Sequence, residues 1–170
     1  MVTLPLRLHY AHLNWELGTL LFAVSDQGLA VVSFAQSAQD FLRCHPKKWR
    51  SIAWREDPTG LRDYREALTK WLNTLEGKYP FPLDMRGSDF QQKVWCALQT
   101  IPRGCVRTYA QVAREIDQPT AVRAVAQACA ANHLAVVIPC HRVVRSDGSL
   151  GGYRWGQRRK HLLLQHESRS

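Results

Sequence analysis

The chain reads as two domains: an α/β N-terminal domain over 1–80, built on a three-stranded antiparallel sheet with helices, and a mainly α C-terminal domain over 85–170 that contains a helix-turn-helix. Three observations predict this. Apolar residues cluster or alternate over 6–13, 18–24 and 28–34, between the turn signals Gly18, Asp26-Gln27-Gly28 and Ser37, as consecutive short strands do. Two short helical stretches, 109–116 and 121–131, flank Asp117-Gln118-Pro119-Thr120, the outline of two helices across a tight turn. Charge also divides unevenly: residues 85–170 carry 13 Lys/Arg against 5 Asp/Glu, whereas residues 1–84 carry 10 against 9.

Taken in order, the three strands predict an antiparallel meander. Ser37-Ala38-Gln39-Asp40 opens a short helix toward Cys44. The basic stretch 46–57, with Trp49 and Trp54, reads as loop or a short edge strand. Asp57-Pro58 starts a longer helix that ends near Gly77 and lines up Leu61, Tyr64, Leu68, Trp71, Leu72 and Leu75 on one stripe. Residues 77–85, with two prolines, form the linker. Ser88 or Asp89 then caps a helix through Thr100 that packs Phe90, Val94, Trp95 and Leu98, and Pro102-Arg103-Gly104 breaks it. Thr108 caps the next short helix. A final helix over 156–167 turns Leu162, Leu163 and Leu164 inward.

Composition bounds the function. At 170 residues and 45% hydrophobic content the chain is a globular protein. No apolar run approaches the roughly 20 residues needed to cross a bilayer. Met1-Val2-Thr3-Leu4-Pro5-Leu6 lacks the charged and apolar regions of an export signal. The expected residence is the cytoplasm, with nucleoid association if the chain is bacterial. Cys44, Cys96, Cys105, Cys129 and Cys140 are odd in number and form no CxxC pair, which argues against a disulfide framework. Their spacings fit no zinc finger or ribbon, so no metal is expected, and no cofactor-binding motif is present. The formal charge is +9 overall, and its concentration in the second half points to a surface facing nucleic acid.

The second helix of the pair is nearly bare. Ala121, Ala124, Ala126, Ala128, Ala130 and Ala131 dominate it, with Arg123 as its one charge. A major-groove reader would display Asn, Gln and several Arg. A stripped helix can instead press into the minor groove with one Arg reaching into the stack. Alanine also simply favours helix and close packing, and both readings stand at this level.

Pro139-Cys140-His141-Arg142-Val143 is the most informative stretch. It follows Leu134-Ala135-Val136-Val137-Ile138, which reads as a short buried strand by length and β-branching. The proline ends that strand and sets a cysteine beside a histidine where the backbone turns. Thiolate is the reactive form of cysteine, and a neighbouring Arg142 or charged His141 would lower its pKa. The alternative is an inert buried cysteine.

This pentapeptide resembles the acceptor motif of the O6-alkylguanine-DNA alkyltransferases, which move an alkyl group from damaged guanine onto their own cysteine. The similarity runs through Gly87-Ser88-Asp89-Phe90-Gln91-Gln92, Ile101-Pro102-Arg103-Gly104, Tyr109, Arg123-Ala124-Val125, Asn132, Gly151-Gly152-Tyr153 and Glu167. The first eighty residues match only in general pattern. The resemblance implies a ribonuclease H-like N-terminal domain and a winged-helix-like C-terminal one. It also implies a monomer that needs no cofactor and acts on double-stranded DNA containing O6-alkylguanine, and O4-alkylthymine as well. The transfer would be direct, irreversible and single-turnover, with base flipping through the minor groove.

Roles follow by resemblance. Cys140 is the nucleophile and final acceptor, His141 takes its proton through a water, and Glu167 orients His141. Tyr109 donates to the guanine ring nitrogen as charge builds and helps turn the phosphate. Arg123 fills the vacated place in the duplex, and Asn132 ties the bare helix to the active-site loop. The DNA-facing set is Arg123, Ala124, Ala126, Gln91, Thr108, Tyr109, Asn132 and Arg142. The pocket walls are Asn132, Val143, Tyr153, Arg154 and Trp155, and the Trp155 indole is expected to obstruct groups as large as benzyl. Taken singly, Glu167 could be a solvated helix-end carboxylate, Tyr109 a core aromatic and Asn132 a helix cap.

Three other readings compete. A non-catalytic module that only binds alkylated DNA is disfavoured by the intact Cys140. A Cys-His hydrolase normally brings its histidine from a distant segment, whereas His141 is adjacent. A transcription regulator ranks third, because no cysteine-rich regulatory domain accompanies this half.

Overall fold

The computed structural model describes residues 6–45 and 47–169 and falls into two compact units, Met1–Asp84 and Met85–Ser170. The stretch Met1-Val2-Thr3-Leu4-Pro5, which lacks the pattern of an export signal, lies outside the described residues, as does Pro46 of the basic stretch. No helix among the described residues is long and apolar enough to cross a membrane.

In unit 1, β1 (Arg7–Trp15), β2 (Gly18–Ser25) and β3 (Gly28–Phe34) form the antiparallel meander, with Leu13 opposite Leu20 and Phe22 opposite Val32. The sheet is mixed and four-stranded rather than three-stranded. β4 (Ala53–Glu56) adds parallel to β1, giving the order β3-β2-β1-β4. β4 is short and largely exposed, so it lacks the apolar alternation that betrays a strand. The short helix α1 (Ala38–Cys44) starts at Ser37, whose hydroxyl accepts from the Asp40 N–H. A 3-10 turn over Lys47–Ser51 then drops Trp49 into a cluster with Phe41, Leu8, Leu21 and Val31.

Helix α2 runs Arg62–Thr74 and so begins later than the Asp57-Pro58 start expected. Asp57 is used elsewhere: its carboxylate accepts from Gly60 N–H at 2.8 Å and meets His9 Nδ1 at 3.1 Å. It thus closes the turn in front of the helix. Residues 77–85 are also more than a linker. Leu29 N–H donates to Pro82 O at 2.9 Å and Asp84 N–H to Leu29 O at 2.8 Å, which pins the segment along β3. Gly28 permits this approach, because at φ +135° a Cβ would lie 2.2 Å from Pro82 O.

In unit 2, α3 (Asp89–Leu98) and α4 (Tyr109–Glu115) each start with a complete capping box, Ser88 with Gln91 and Thr108 with Gln111. Helix α5 (Val122–Ala130) follows α4 across a turn in which Asp117 adopts φ 59°, completing the helix-turn-helix. Trp95 Nε1–H donates to Ala128 O at 2.9 Å and ties α3 to α5. Two minimal strands, β5 (Arg107–Thr108) and β6 (Val143–Val144), pair in parallel, which the sequence did not foretell. Helix α6 (Gln157–Ser168) buries Lys160, Leu163 and Glu167. Leu162 and Leu164, expected inward, are only half-buried.

Residues 134–138 are a buried turn, not a strand. Ile138 N–H donates back to Leu134 O at 2.9 Å and Val137 N–H to Ala135 O at 2.7 Å, while Val136 sits at φ 69°. An apolar run shows that a segment is buried but not which hydrogen bonds it makes. A β-branched residue in the left-handed region needs a surrounding structure that holds it there. Asn132 supplies part of that hold.

Candidate active site

Cys140 heads a 3-10 turn over Cys140–Arg142 and is 4% exposed. The fully buried Asn132 organises the approach to it. Its Oδ1 accepts from Leu134 N–H at 2.8 Å, and its Nδ2–H lies within reach of Ile138 O at 2.9 Å, Leu134 O at 3.4 Å and Cys140 Sγ at 3.2 Å. One amide therefore shapes the turn and aims a donor at the sulfur, so Asn132 is more than a cap for α5.

Behind the thiol lies a buried charge cluster. His141 Nε2 is 2.7 Å from Glu167 Oε1. Arg142 Nε and Nη2 also donate to that carboxylate, at 3.0 and 2.8 Å, and Arg142 Nη1 donates to Ile101 O at 2.6 Å. Burial alone would raise the Glu167 pKa, but the bonds from His141 and Arg142 outweigh it and hold the group at about 2. Burial dominates at His141 and pulls its pKa down despite Glu167. The consistent assignment is an anionic Glu167 paired with cationic Arg142, and a neutral His141 donating from Nε2. His141 Nδ1 is then a lone pair, and it has no hydrogen-bond partner among the described residues.

These positions differ from expectation at Arg142 and Asn132. The resemblance puts Arg142 and Asn132 at the DNA face, and adjacency offers Arg142 as a cation beside the thiol. Arg142 is instead buried on Glu167, which consumes its charge. Asn132, also expected at the DNA face, is fully buried. The cations that favour the Cys140 thiolate are Lys160 and Arg154, which with Asn132 oppose the upward push of burial. Lys160 was missed. Its ammonium is fully buried and donates to Val143 O, Leu150 O and Gly152 O at 2.6, 2.5 and 3.2 Å. Helical phase could have found it, because Lys160, Leu163 and Glu167 share one face of α6.

The thiol opens into a cavity of about 310 Å³ lined by Tyr109, Ala126, Cys129, Ala130, Cys140, Gly152, Tyr153 and Arg154. Burial pushes the Tyr109 hydroxyl up to about 12, so it remains a donor. Gly151 is needed beneath it: at φ +69° a Cβ would stand 3.0 Å from Tyr109 Oη. Two larger cavities, of about 660 and 600 Å³, lie in unit 1. Their hydroxyls are committed, Ser25 to Asp84 and Thr69 to the Arg65 carbonyl, and neither cavity holds a cysteine.

Of the expected pocket residues, Tyr153 and Arg154 line the cavity. Val143 does not, being fully buried in β6, and Trp155 is not among the lining residues but packs edge-on against Tyr153, ring centroids 5.2 Å apart. Cys129 was not anticipated as a wall. Arg123 is exposed on α5 and makes no hydrogen bond or ion pair among the described residues. Ala124 and Ala126 are half-exposed on the same helix, while Gln91 and Thr108 serve as capping residues.

Residues 89–169 match the family described as 6-O-methylguanine DNA methyltransferase, DNA binding domain. The chain is 44% identical to the bifunctional transcriptional activator/DNA repair enzyme Ada of Escherichia coli over 96% of its own length, and spans 46% of that protein. It is 34% identical to the methylated-DNA–protein-cysteine methyltransferase of Mycobacterium bovis, covering 94% of this chain and 92% of the relative. The solved structure of Mycobacterium tuberculosis OGT in complex with DNA superposes with a TM-score of 0.78 at 34% identity, over 94% of this chain and 92% of that one.

Proposed function

The chain belongs to the methylated-DNA–protein-cysteine methyltransferases, and from that premise we propose that it repairs O6-alkylguanine in double-stranded DNA by moving the alkyl group irreversibly onto its own Cys140. The single observation that carries this reading is the buried Cys140, held by Asn132 and facing a cavity that can seat a flipped base. His141 Nδ1 takes the thiol proton through a water, and Glu167 with Arg142 keeps the imidazole in the basic tautomer. The thiolate attacks the alkyl carbon in line; the C–S bond forms, the C–O bond breaks, and its electron pair passes to the guanine. Tyr109 donates to the ring nitrogen where that charge gathers. The thioether product has no displaceable bond to sulfur, so each molecule acts once.

Arg123 fills the place that the extruded base leaves, with Ala124 and Ala126 leaving room for α5 in the minor groove. O4-alkylthymine is the second substrate of the same cavity. The molecule works as a monomer in the cytoplasm, associated with the nucleoid in a bacterium. Residues 1–80 then serve as scaffold and 85–170 bind DNA and accept the alkyl group. The order β3-β2-β1-β4, antiparallel up to β1 and parallel beyond it, supports a ribonuclease H-like first domain. The short β5–β6 pair beside α4 and α5 supports a winged-helix-like second one.

The test uses duplex DNA with one methyl-labelled O6-methylguanine. One label per protein, mapped to the Cys140 peptide and absent in Cys140→Ser, is the expected result. Label on Cys129, or repeated turnover by one molecule, contradicts it.

A further inference from the structure

Arg154 joins two parts of unit 2. Its side chain forms wall of the cavity beside Cys140, and its Nε and Nη2 both donate to Ala130 O, at 2.8 and 2.5 Å. Ala130 is the last residue of α5, so its carbonyl is one that the helix end leaves without an intrahelical donor. The wall segment 151–156 contains no helix or strand and is rich in glycine. Lys160 holds one end of it through Leu150 O and Gly152 O, and Gln157 Nε2 donates to Gly151 O at 3.2 Å. The Arg154 fork spans instead from the middle of the wall to the helix that presents Arg123 and Ala126.

We propose that Arg154 is a positioning residue, its fork closing the cavity wall onto the C-terminal end of α5 and thereby limiting the size of group that can reach Cys140. The consequence for alkyl adducts rests on the repair function proposed above; the consequence for cavity width does not. A guanidinium can place two N–H groups on one carbonyl from a fixed plane, whereas an ammonium keeps the charge without that geometry. Arg154→Lys therefore separates the fork from the charge.

The experiment compares Cys140 labelling by a small thiol reagent, iodoacetamide, and a bulky one, N-phenylmaleimide, with peptide mapping to exclude the exposed Cys44, Cys96 and Cys105. Overpacking penalties of the usual size predict that the bulky-to-small rate ratio rises about tenfold in Arg154→Lys and at least as much in Arg154→Ala. Hydrogen exchange should quicken in 151–156 and at the end of α5 but not in β1–β3. Arg154→Lys matching the unaltered protein in both readouts would overturn the proposal, since charge alone would then suffice. Methyl transfer from DNA is followed in parallel. Its absence in the unaltered protein, with the ratio still rising in the variants, sinks the repair reading and leaves the brace standing. Methyl transfer with an unmoved ratio does the reverse.

Discussion

Among the described residues, unit 1 buries the polar residues Ser33 and His45, whereas unit 2 buries Asn132, His133, His141, Arg142, Lys160 and Glu167. Three of those six carry formal charge. Taking a charge out of water is costly unless it is paired and fully hydrogen-bonded, and a hydrophobic replacement of similar volume is often no less stable. Unit 1 follows the ordinary rule, with Phe41, Trp49 and the sheet residues packed on one another. Unit 2 departs from it behind and beside a single sulfur atom. Burial in unit 1 thus serves folding, while much of the polar burial in unit 2 bears on the position and protonation of Cys140 and His141.

The comparison breaks most visibly under truncation. Trp49→Ala should cost about 3–5 kcal/mol by leaving a cavity, yet leave methyl transfer per folded molecule unchanged. Arg142→Ala should cost a similar about 3–5 kcal/mol, because Glu167 stays buried with one cationic partner fewer, and should also slow transfer. Urea denaturation read beside single-turnover rates distinguishes the two. Equal transfer rates for both variants would show that the charge cluster is structural only.

Acid sharpens the same contrast. Glu167 has a folded-state pKa of about 2 against an ordinary 4.5, so its stabilisation is complete above about 4.5 and is lost as pH falls toward 2. His141 is likewise depressed below its ordinary 6.5, so its contribution begins to fall below that pH. Both effects have the same sign. Stability should decline from about pH 6.5 downward, and Glu167→Gln should flatten the lower part of that curve.

Much of this was legible in the chain itself, and the misses lie where specific hydrogen-bond partners decide the local structure. Strand positions over 6–34 and the caps at Ser37, Ser88 and Thr108 depend on local pattern, which a sequence displays. The late start of α2 depends on His9, distant in sequence from Asp57, and β4, inside the stretch read as loop or a short edge strand, is decided by pairing with the distant β1. The turn at 134–138 depends instead on the bonds that the nearby Asn132 amide makes to Leu134 and Ile138. Cys140, His141 and Glu167 stood out by motif, but the destination of Arg142 did not. Adjacency suggested that it faces the thiol or DNA, whereas its fork fits the Glu167 carboxylate and the Ile101 carbonyl. Lys160 went unseen because a lysine in a charged helix reads as solvated.

Smaller effects concern the surface and the rim. Arg123→Ala should slow repair in duplex DNA by about tenfold or more, an estimate from the few kcal/mol that base unstacking costs. It should leave attack on the free methylated base unchanged, because only the duplex requires flipping. Binding of the +8 half to DNA should weaken steeply with salt and show little sequence preference. Trp155 packs edge-on against Tyr153, which lines the cavity, so Trp155→Gly should raise inactivation by O6-benzylguanine by about tenfold at most, with methyl transfer retained.

The decisive readout is the state of His141, because a neutral imidazole with its proton on Nε2 is what the paired Glu167 and Arg142 are arranged to hold. Nitrogen-15 NMR of the histidine-labelled protein, assigned by comparison with His141→Gln, reports both ring nitrogens. At pH 7 the expected result is a protonated Nε2 and an unprotonated Nδ1. A doubly protonated ring, or a proton on Nδ1 with Nε2 bare, would contradict it.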